Sequence, residues 1–499
     1  MNTDEPSGAE AWVLGWQVKF HRWAQTDKTQ KFEDVYNLVC DERTLREAWR
    51  HVRSNKGSKT AGVDGQTRYT VQASGEEKFL QRIRKELKAG TYRPRPVREK
   101  AIPKKSGKIR RLGIPALRDR VIQQALRLVL EPIFEADFYV SSYAYRPGRR
   151  AQDAIAEIFH YTMPAIGYAW VVEGDIRACF DNVHHGVLLE EIRKRVTDRK
   201  VLRLVRAFLK SGVMTELGAF RRTMTGTPQG GILSPLLANI YLGRLDGYCL
   251  KKWKGYGKNF SQRQKFRKKG HATSYLVRFA DDFVILVKGT REQAESLKEE
   301  TANFLREELH MELSLEKTRI THVTEGFDFL GYHIVLKANH IGRVGMHTYP
   351  SKESLRRVQE KVKKLTSRIT EHQTLGQVLA QVNPVLRGWA NYFQFAYSQR
   401  ALRYLGHYAW LRMYRWMRRK HKVPAGKLRR KYIPNWTFRD GKRTLFQIQK
   451  VKVERYAYRG AHIPNPWNQG TEPLTRKHQA DRMSAESKFL ERLDDRCAF

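Results

Sequence analysis

The sequence has few cysteines, and none of them are paired at metal-site spacing. Four occur among 499 residues, and they are widely separated: Cys40, Cys179, Cys249 and Cys497. No Cys-x-x-Cys motif occurs, whereas structural zinc sites use closely spaced ligands. This pattern excludes a disulfide-built fold and predicts a reducing compartment without structural zinc.

A long apolar run is also missing. No stretch reaches the roughly 18 apolar residues of a membrane span. The first ten residues contain acids and no Lys or Arg, unlike the start of a secretory signal. We therefore expect a cytoplasmic protein with no membrane partner.

Acidic residues are scarce relative to basic ones. The chain has 94 Lys plus Arg against 51 Asp plus Glu, a formal charge of +43 and a pI near 10.2. Such a chain repels itself strongly unless a polyanion neutralises it. Because 41% of the residues are hydrophobic, two or three domains with sizeable cores are still expected. Nucleic acid is the predicted partner.

The most informative feature present is a pair of adjacent acids between two apolar runs. Phe279-Ala280-Asp281-Asp282 separates Tyr275–Val277 from Phe283–Val287, which predicts a strand, a tight turn and a second strand. Adjacent carboxylates repel each other and are disfavoured in strands, so a bound divalent cation would explain them. A solvated turn is the alternative, since Asp is common in turns.

Two further segments lie upstream of this hairpin. Residues 170–175 form a predicted buried strand that ends at Asp175, where an acid is commonly a cap. Residues 225–240 begin with the Gly-rich turn Thr227-Pro228-Gln229-Gly230-Gly231 and continue as a predicted helix. The backbone of such a turn can approach a ligand closely.

Local patterns predict several other elements. Ser74 and Glu77 form a capping box for a helix whose apolar face is Phe79, Leu80, Ile83 and Leu87. Residues 102–108 have the pattern of a hairpin turn. After residue 350, a spacing of three and four predicts a helix-packing seam of Leu355, Val358, Val362, Leu365 and Ile369.

Basic residues are concentrated in two segments with interleaved aromatics. Residues 251–270 contain nine Lys or Arg and no acid, which predicts either a nucleic-acid-binding surface loop or a solvated insertion. Residues 401–449 contain fourteen Lys or Arg, nine aromatics and the single acid Asp440. On a helical segment, this imbalance predicts an extended phosphate-facing surface.

Taken in order, these segments resemble the group II intron-encoded reverse transcriptases that carry a maturase domain. The resemblance runs over roughly residues 50–450 and rests on an ordered series of motifs. The series comprises the Gly-rich loop 55–65, the segment Ile102–Pro115, Ser142-Tyr143-Ala144-Tyr145-Arg146-Pro147-Gly148, the Asp175 strand, the Gly-rich turn, Phe279-Ala280-Asp281-Asp282, Leu315-Glu316-Lys317-Thr318, Phe329-Leu330-Gly331-Tyr332 and the maturase-like Pro384–Phe393.

The resemblance implies an α+β fold, a right-hand polymerase with fingers and an antiparallel palm sheet followed by an α-helical thumb or maturase domain. The expected organisation is an N-terminal helical extension at 1–50, fingers and palm at 51–345, thumb/maturase domain at 346–450, and a C-terminal segment at 451–499 that could contact DNA. The paired cysteines of the HNH endonuclease found in many relatives are absent. We therefore expect no HNH activity, with the primer taken from an existing nick or a replication fork.

The resemblance also implies roles for individual residues. Asp175, Asp281 and Asp282 match the catalytic, metal-binding acids. Lys104 and Arg110 match residues that grip the triphosphate, Phe180 matches the residue that blocks a ribose 2′ hydroxyl, and Gln229 and Lys317 match further nucleotide-binding positions. Gly331 matches the primer-contacting turn. Phe279 stands where a Tyr is frequent, which keeps the ring and should preserve activity.

The implied activity is RNA-directed DNA synthesis with two Mg²⁺ ions, for which Mn²⁺ is a substitute. The implied partners are group II intron RNA, an RNA template with a DNA primer, target DNA and deoxynucleoside triphosphates, in the cytoplasm of a bacterium. The protein would also assist splicing of its intron and support mobility by target-primed reverse transcription. Two alternatives stay open: a domesticated enzyme of defence, CRISPR or DNA repair, and a maturase that acts only as an RNA-binding splicing factor.

Overall fold

The computed structural model describes residues 8–103, 109–215, 218–222, 224–227, 230–314, 316–338, 342–460 and 462–468. The helices, in chain order, are α1 Gly8–Thr26, α2 Tyr36–Val39, α3 Glu42–Ser54, α4 Arg68–Ser74, α5 Glu76–Lys88, α6 Leu117–Glu135, α7 Ala151–Thr162, α8 His185–Arg193, α9 Arg199–Leu209, α10 Ser234–Gly255, α11 Phe260–Lys268, α12 Arg291–Leu309, α13 Lys352–Leu365, α14 Leu375–Phe393, α15 Gln399–His421 and α16 Ala425–Tyr432. The strands are β1 Val97–Pro103, β2 Ile109–Ile114, β3 Trp170–Asp175, β4 Val213–Met214, β5 Phe220–Arg221, β6 Thr273–Phe279, β7 Asp282–Lys288, β8 Arg319–His322, β9 Phe327–Phe329, β10 Tyr332–Ala338, β11 Val344–Pro350, β12 Arg439–Asp440 and β13 Arg443–Thr444.

The chain divides into two compact units. Of the described residues, the first unit contains those up to Arg150, Val172–Ile320 and those from Arg459 to Asn468; the second contains Ala151–Val171 and Thr321–Tyr458. Mixed helix and antiparallel sheet confirm the α+β class expected from the sequence. In the first unit, helix α6 is buried along most of its length and packs against α1 and α3.

A four-stranded sheet of order β6-β7-β3-β8 carries the acidic segments. Strands β6 and β7 form an antiparallel hairpin in which Phe279 is opposite Asp282, as the alternation of apolar runs and acids predicted. Because β7 neighbours β3, the end of β3 and the tip of the hairpin belong to one sheet.

Gly174 lets these two strands pack closely. A Cβ atom at this position would lie 2.2 Å from the ring of Phe283, a distance that no real side chain tolerates. Phe283 is 1% exposed and follows Asp282 directly. The missing side chain at Gly174 therefore makes room for the ring that anchors the start of β7.

A second four-stranded sheet has the order β2-β1-β4-β5. Strands β1 and β2 pair antiparallel with Pro103 opposite Ile109, so the predicted hairpin is present. Residues 104–108 of its turn, including Lys104, lie outside the described residues.

Two local sequence predictions were wrong in detail. The capping box belongs to Thr67 and Thr70 at the start of α4, and Ser74 is the last residue of that helix. Gly75 precedes α5, whose predicted face of Phe79, Leu80, Ile83 and Leu87 is buried as expected. Most of the predicted loop 251–270 is helical, formed by the end of α10 and by α11, which has no buried residue.

The second unit combines the three-stranded sheet β11-β10-β9 with helices α13 to α16. A core of aliphatic and aromatic side chains joins these helices, among them Val358, Val362, Leu405 and Trp416. Ile369 is 84% exposed and lies beyond the end of α13, so its assignment to the packing seam was wrong. The three-and-four spacing continued past the residue at which the helix ends.

The described part of the C-terminal segment packs onto earlier helices. Tyr456 and Tyr458 donate hydrogen bonds to Asp153 and Glu157 of α7 at 2.9 and 3.1 Å. In the first unit, the indole Nε1 of Trp467 donates to Gln17 of α1 at 3.3 Å. No helix among the described residues is long and apolar enough to cross a membrane.

We predict that Leu405→Ala destabilises the protein far more than Tyr404→Ala. Leu405 is fully buried in the core of the second unit, whereas Tyr404 is 51% exposed on the same helix. Truncating a buried Leu to Ala costs about 2–5 kcal/mol, while the surface substitution should cost less than about 1 kcal/mol. Guanidinium chloride unfolding followed by circular dichroism measures both, and equal losses would contradict this packing.

Candidate active site

Asp175 is the last residue of β3 and is fixed there by an adjoining segment. The backbone N–H of Ser314 donates to the Asp175 carbonyl at 2.8 Å, and Arg177 N–H donates to the Glu312 carbonyl at 2.9 Å. An antiparallel bridge between Ile176 and Leu313 lies between these two bonds. Residues 312–314 therefore hold the end of β3 and lead the chain directly to Lys317.

Asp281 and Asp282 lie at the tip of the β6–β7 hairpin. Ala280 and Asp281 form its two-residue turn, and Asp282 is the first residue of β7. Ala280 has a φ of 60°, the left-handed region that costs a residue with a Cβ about 1–2 kcal/mol. A short, strained turn of this kind allows little freedom to the backbone that carries Asp281 and Asp282.

Lys317 neutralises part of the acidic group. Its Nζ lies 2.8 Å from Oδ2 of Asp175. This bond raises the pKa of Lys317, and the negative charges of Asp175, Asp282 and Asp281 raise it further. The sequence prediction placed a basic residue near phosphates at this position, and the structure brings it onto an acid of the predicted catalytic group.

Asp282 has a strongly shifted pKa. Although solvent reaches its side chain, desolvation by the surrounding protein raises the pKa of Asp282 to about 6. The charges of Asp281 and Asp175 raise it as well, and Lys317 lowers it. The three acids therefore interact electrostatically, as carboxylates that share one site do.

The donor set fits a hard divalent cation. Carboxylate oxygens are the ligands that Mg²⁺ and Mn²⁺ prefer, and a cation between these acids would offset both the desolvation of Asp282 and its repulsion by Asp281 and Asp175. Within the ranges the structure describes, however, no group of three or more His, Cys, Asp or Glu side chains is close enough to enclose an ion. In this arrangement the positive charge of Lys317 lies against Asp175 instead.

Cys179 and Phe180 belong to a short helical turn just after β3. Burial and the neighbouring Asp281 raise the pKa of the Cys179 thiol to about 12, so this cysteine is an inert packing group. Phe180 is half-buried, and its carbonyl accepts a hydrogen bond from Thr227 N–H at 2.7 Å. The Gly-rich turn is thereby joined to the backbone of the predicted sugar-discriminating residue.

Gly226 makes this close backbone approach possible. Its φ is +88°, and a Cβ there would lie 2.7 Å from the carbonyl oxygen of Asp181. Its N–H donates to the Val183 carbonyl at 2.9 Å, and its carbonyl bonds to His185 Nε2 at 2.8 Å. Gln229, in the same turn, lies outside the described residues.

The remaining predicted residues are in other places. Arg110 is in β2 opposite Ile102, and its side chain is not described. Gly331 lies in the turn between β9 and β10 of the second unit, with a φ of +80°. Its carbonyl accepts from Ser351 N–H at 2.9 Å and from the Ser354 hydroxyl at 3.0 Å.

Sequence reasoning missed a buried polar group behind the hairpin tip. Arg278, Asp246 and Asn239 form it, and Arg278 immediately precedes Phe279. The available signal was a cationic residue in an otherwise apolar predicted strand.

Comparison with known families assigns the two parts of the chain. Residues 102–334 match the family of reverse transcriptase (RNA-dependent DNA polymerase), and residues 355–433 match the group II intron maturase-specific domain. These matches define an RNA-directed DNA polymerase followed by a maturase domain, a class that generally uses divalent metal ions.

Individual proteins that are similar to this chain include group II intron proteins. Protein YkfC of Escherichia coli K12 is 38% identical over 346 residues, covering 66% of this chain and 90% of YkfC. The group II intron-encoded protein LtrA of Lactococcus lactis is 32% identical over 514 residues, covering 89% of this chain and 84% of LtrA. Nuclear intron maturase 2 of Arabidopsis thaliana is 28% identical over 274 residues, covering 43% of this chain and 37% of that protein.

The chain belongs to the family of group II intron-encoded reverse transcriptases with a maturase domain. The resemblance inferred from the motif series is thereby confirmed. The domesticated and splicing-only alternatives are not favoured.

The raised pKa of Asp282 leads to a prediction about stability and pH. Because its pKa is about 6 in the folded protein and about 3.9 in an unfolded chain, the protonated acid favours folding below pH ~4. That contribution is lost as the pH rises through ~6. Without metal, Asp282→Asn should therefore be more stable than the parent at pH 8, by under about 1 kcal/mol given solvent screening, and the gain should shrink at pH 5.

Denaturant unfolding in EDTA at the two pH values measures this difference. Asp34→Asn, an exposed acid outside the group, is the matched control and should show no such pH dependence. An Asp282→Asn gain that is equal at both pH values, or larger at pH 5, would contradict the raised pKa of Asp282 in the folded protein.

Proposed function

We propose that Asp175, Asp281 and Asp282 are the catalytic, metal-binding acids of a right-hand polymerase that copies RNA into DNA. The observation that carries the proposal is the adjacency of β3 and β7 in one sheet, with the three acids and Lys317 interacting at the strand ends. In this organisation the first unit supplies most of the fingers and palm, and helices α13 to α16 supply the thumb or maturase domain.

The proposed cofactor is a pair of Mg²⁺ ions, for which Mn²⁺ would substitute. When bound, the ions activate the primer 3′ oxygen and stabilise the negative charge on the transferring phosphate and the leaving pyrophosphate. The three aspartates would hold them. Lys317 would leave Asp175 as the ions bind, and its ammonium would then be available to the triphosphate.

Other residues have proposed positioning roles. Lys104 and Arg110, on the β1–β2 hairpin, would grip the incoming triphosphate. Phe180 would exclude a ribose 2′ hydroxyl, and Gln229 would contact the incoming sugar. Gly331 would contact the primer, supported by the bonds that fix its carbonyl.

Primer extension tests the polymerase assignment. Purified protein with Mg²⁺, deoxynucleotides and an RNA template annealed to a DNA primer should extend the primer, and the Asp281→Ala/Asp282→Ala variant should not. Without these two acids the protein would lose ligands for the metal ions that would stabilise the phosphate charge, whereas the basic RNA-binding surface is unchanged. The variant should therefore retain the parent affinity for RNA. Extension by the variant at the parent rate would contradict the assignment.

We propose that the second function is to bind intron RNA and assist its splicing. The supporting observation is the surface of α15, α16 and the residues that follow to Trp436, which presents exposed arginines and lysines together with the exposed aromatics Tyr404 and Trp436. Trp436 is 60% exposed, and the guanidinium of Arg429 lies 5.4 Å from the centre of its ring. Basic and aromatic groups together provide phosphate neutralisation and base stacking.

The residues of α11 provide a second proposed RNA contact. Phe260 is 60% exposed, and Arg267 lies 5.8 Å from the centre of its ring. Intron RNA bound by the protein would keep the spliced intron with the polymerase that copies it into DNA. Retrohoming by target-primed synthesis, in a bacterial cytoplasm, is the biological setting that we propose for both activities.

Removing four exposed charges tests the RNA-binding surface. The substitution of Gln for Arg403, Arg415, Arg418 and Arg430, all exposed, should weaken intron RNA binding. If each contacts one phosphate, the slope of log affinity against log salt should fall by about 3, at ~0.7 per contact for single strands. Splicing at low Mg²⁺ should fall in parallel, and primer extension should be retained.

The control removes four charges elsewhere. Arg46, Arg291, Arg356 and Arg357 are each paired with a glutamate, so changing them to Gln lowers the net charge equally. Equal losses of RNA affinity in the two variants would show that total charge, rather than this surface, determines binding.

A further inference from the structure

Arg278 is a fully buried arginine one residue before the catalytic tetrapeptide. Its exposed fraction is 0%, although it lies in β6 close to the hairpin tip. Removing a guanidinium from water is expensive, and a buried one persists only where its donors are satisfied. The identity of its partners therefore indicates what it holds in place.

Two partners come from helix α10. Nε and Nη2 of Arg278 donate to the two carboxylate oxygens of Asp246 at 2.7 and 2.6 Å, a bidentate pair. Nη1 donates to the Asn239 side-chain oxygen at 3.1 Å, and the Asn239 amide in turn donates to the Ala144 carbonyl at 2.8 Å. Helix α10 begins at Ser234, directly after the Gly-rich turn.

The third partner is the catalytic turn itself. Nη1 of Arg278 also donates to the carbonyl of Ala280 at 3.0 Å. This carbonyl and the N–H of Asp281 belong to one planar peptide unit, so a bond to the carbonyl fixes the peptide that leads into Asp281. Ala280 is 6% exposed and has the strained φ of 60°, which surrounding structure must maintain.

The backbone of Arg278 is fixed as well. Its N–H donates to the Ser141 carbonyl at 2.9 Å, and its carbonyl accepts from Tyr143 N–H at 2.9 Å. The guanidinium therefore projects from an anchored position toward α10 and the turn. Movement of Ala280 away from Arg278 would break this buried bond and leave the Ala280 carbonyl without its donor.

We propose that Arg278 is a positioning residue that fixes Asp281 for metal binding by holding the Ala280 carbonyl against α10. The proposal rests on the assignment of Asp281 as a catalytic ligand made above. Arg278 acts through the turn and does not itself contact substrate or metal.

The informative variant removes both buried charges. Arg278→Met alone would leave Asp246 buried and unpaired, and the protein would lose stability for that reason. Arg278→Met/Asp246→Leu replaces the ion pair by apolar groups of similar size, which is often neutral for stability. It still removes the donor to Ala280, so it separates positioning from folding.

We expect the double variant to fold and to bind primer–template with the parent dissociation constant and KM. Its kcat for primer extension should fall about 100-fold, since small misplacements of catalytic groups have effects of this size. Its dissociation constant for Mn²⁺, measured by electron paramagnetic resonance without nucleic acid, should rise at least about tenfold. Parent values of kcat and Mn²⁺ affinity in a folded double variant would overturn the proposal.

A control variant tests whether the effect is specific to Arg278, and a second Arg278 variant is used if the double variant does not fold. Arg195→Met/Asp137→Asn removes another ion pair of the first unit, and it should change stability without changing Mn²⁺ affinity. If Arg278→Met/Asp246→Leu does not fold, Arg278→Lys keeps the charge opposite Asp246 but cannot reach all three partners. Parent kcat and Mn²⁺ affinity in that variant would overturn the proposal equally.

The Mn²⁺ measurement distinguishes this proposal from the proposed function. If the parent protein binds Mn²⁺ but extends no primer, the polymerase assignment fails while the comparison of Mn²⁺ affinities still tests Arg278. If primer extension depends on Asp281 and Asp282 but the Arg278 variants match the parent, only the positioning role fails.

Discussion

Repulsion among three carboxylates is the constraint on which the arrangement of the candidate active site depends. Asp175 ends one strand, while Asp281 and Asp282 occupy the tip of the neighbouring hairpin. Desolvation raises the pKa of Asp282, and the charges of Asp281 and Asp175 raise it further, so placing three ionised carboxylates here is unfavourable without a cation. The surrounding structure therefore has to hold these groups together against their own electrostatics. Lys317 pairs directly with Asp175, whereas Arg278 holds the backbone of the turn through the Ala280 carbonyl.

The two cations differ in how permanently they are held. Lys317 is 64% exposed where it meets Asp175, and an exposed ion pair contributes only about 0–1 kcal/mol. Arg278 and Asp246 are 0% and 3% exposed, and breaking a buried pair by removing one partner costs about 3–5 kcal/mol. The outer cation can therefore be exchanged for another positive charge, while the inner one is a fixed part of the fold. Such a division suits a site that must bind and release charged ligands while keeping its backbone in place.

Periodicity and local chemistry predicted the parts of this site that are close in sequence. Alternating apolar runs around Asp281 and Asp282 were sufficient for the hairpin, and the apolar strand before Asp175 was sufficient for β3. The partners of Arg278 could not be predicted this way, because Asp246 and Asn239 are on a different helix and carry no local signal. The prediction for Ile369 was wrong for a different reason, because the spacing of apolar residues continues beyond the residue at which α13 ends. The predicted capping box at Ser74 was wrong because Thr67 and Thr70 form the capping box of a short helix, and Ser74 is the last residue of that helix.

Helix α15 shows how a strongly basic chain can fold and still present charge to a polyanion. Its buried residues Leu402, Leu405, Ala409, Met413 and Trp416 recur at helical spacing and form one side of the core, whereas Arg403, Arg415 and Arg418 are exposed. Core packing therefore does not require the charges to be paired within the protein. Their mutual repulsion instead destabilises the free protein. A bound polyanion that relieves it stabilises the folded state, by an amount that grows with the logarithm of its concentration relative to the dissociation constant. The same positive charge that favours RNA binding therefore makes the folded protein most stable when RNA is bound. The aspartates present the opposite case, because their mutual repulsion is relieved by a bound cation.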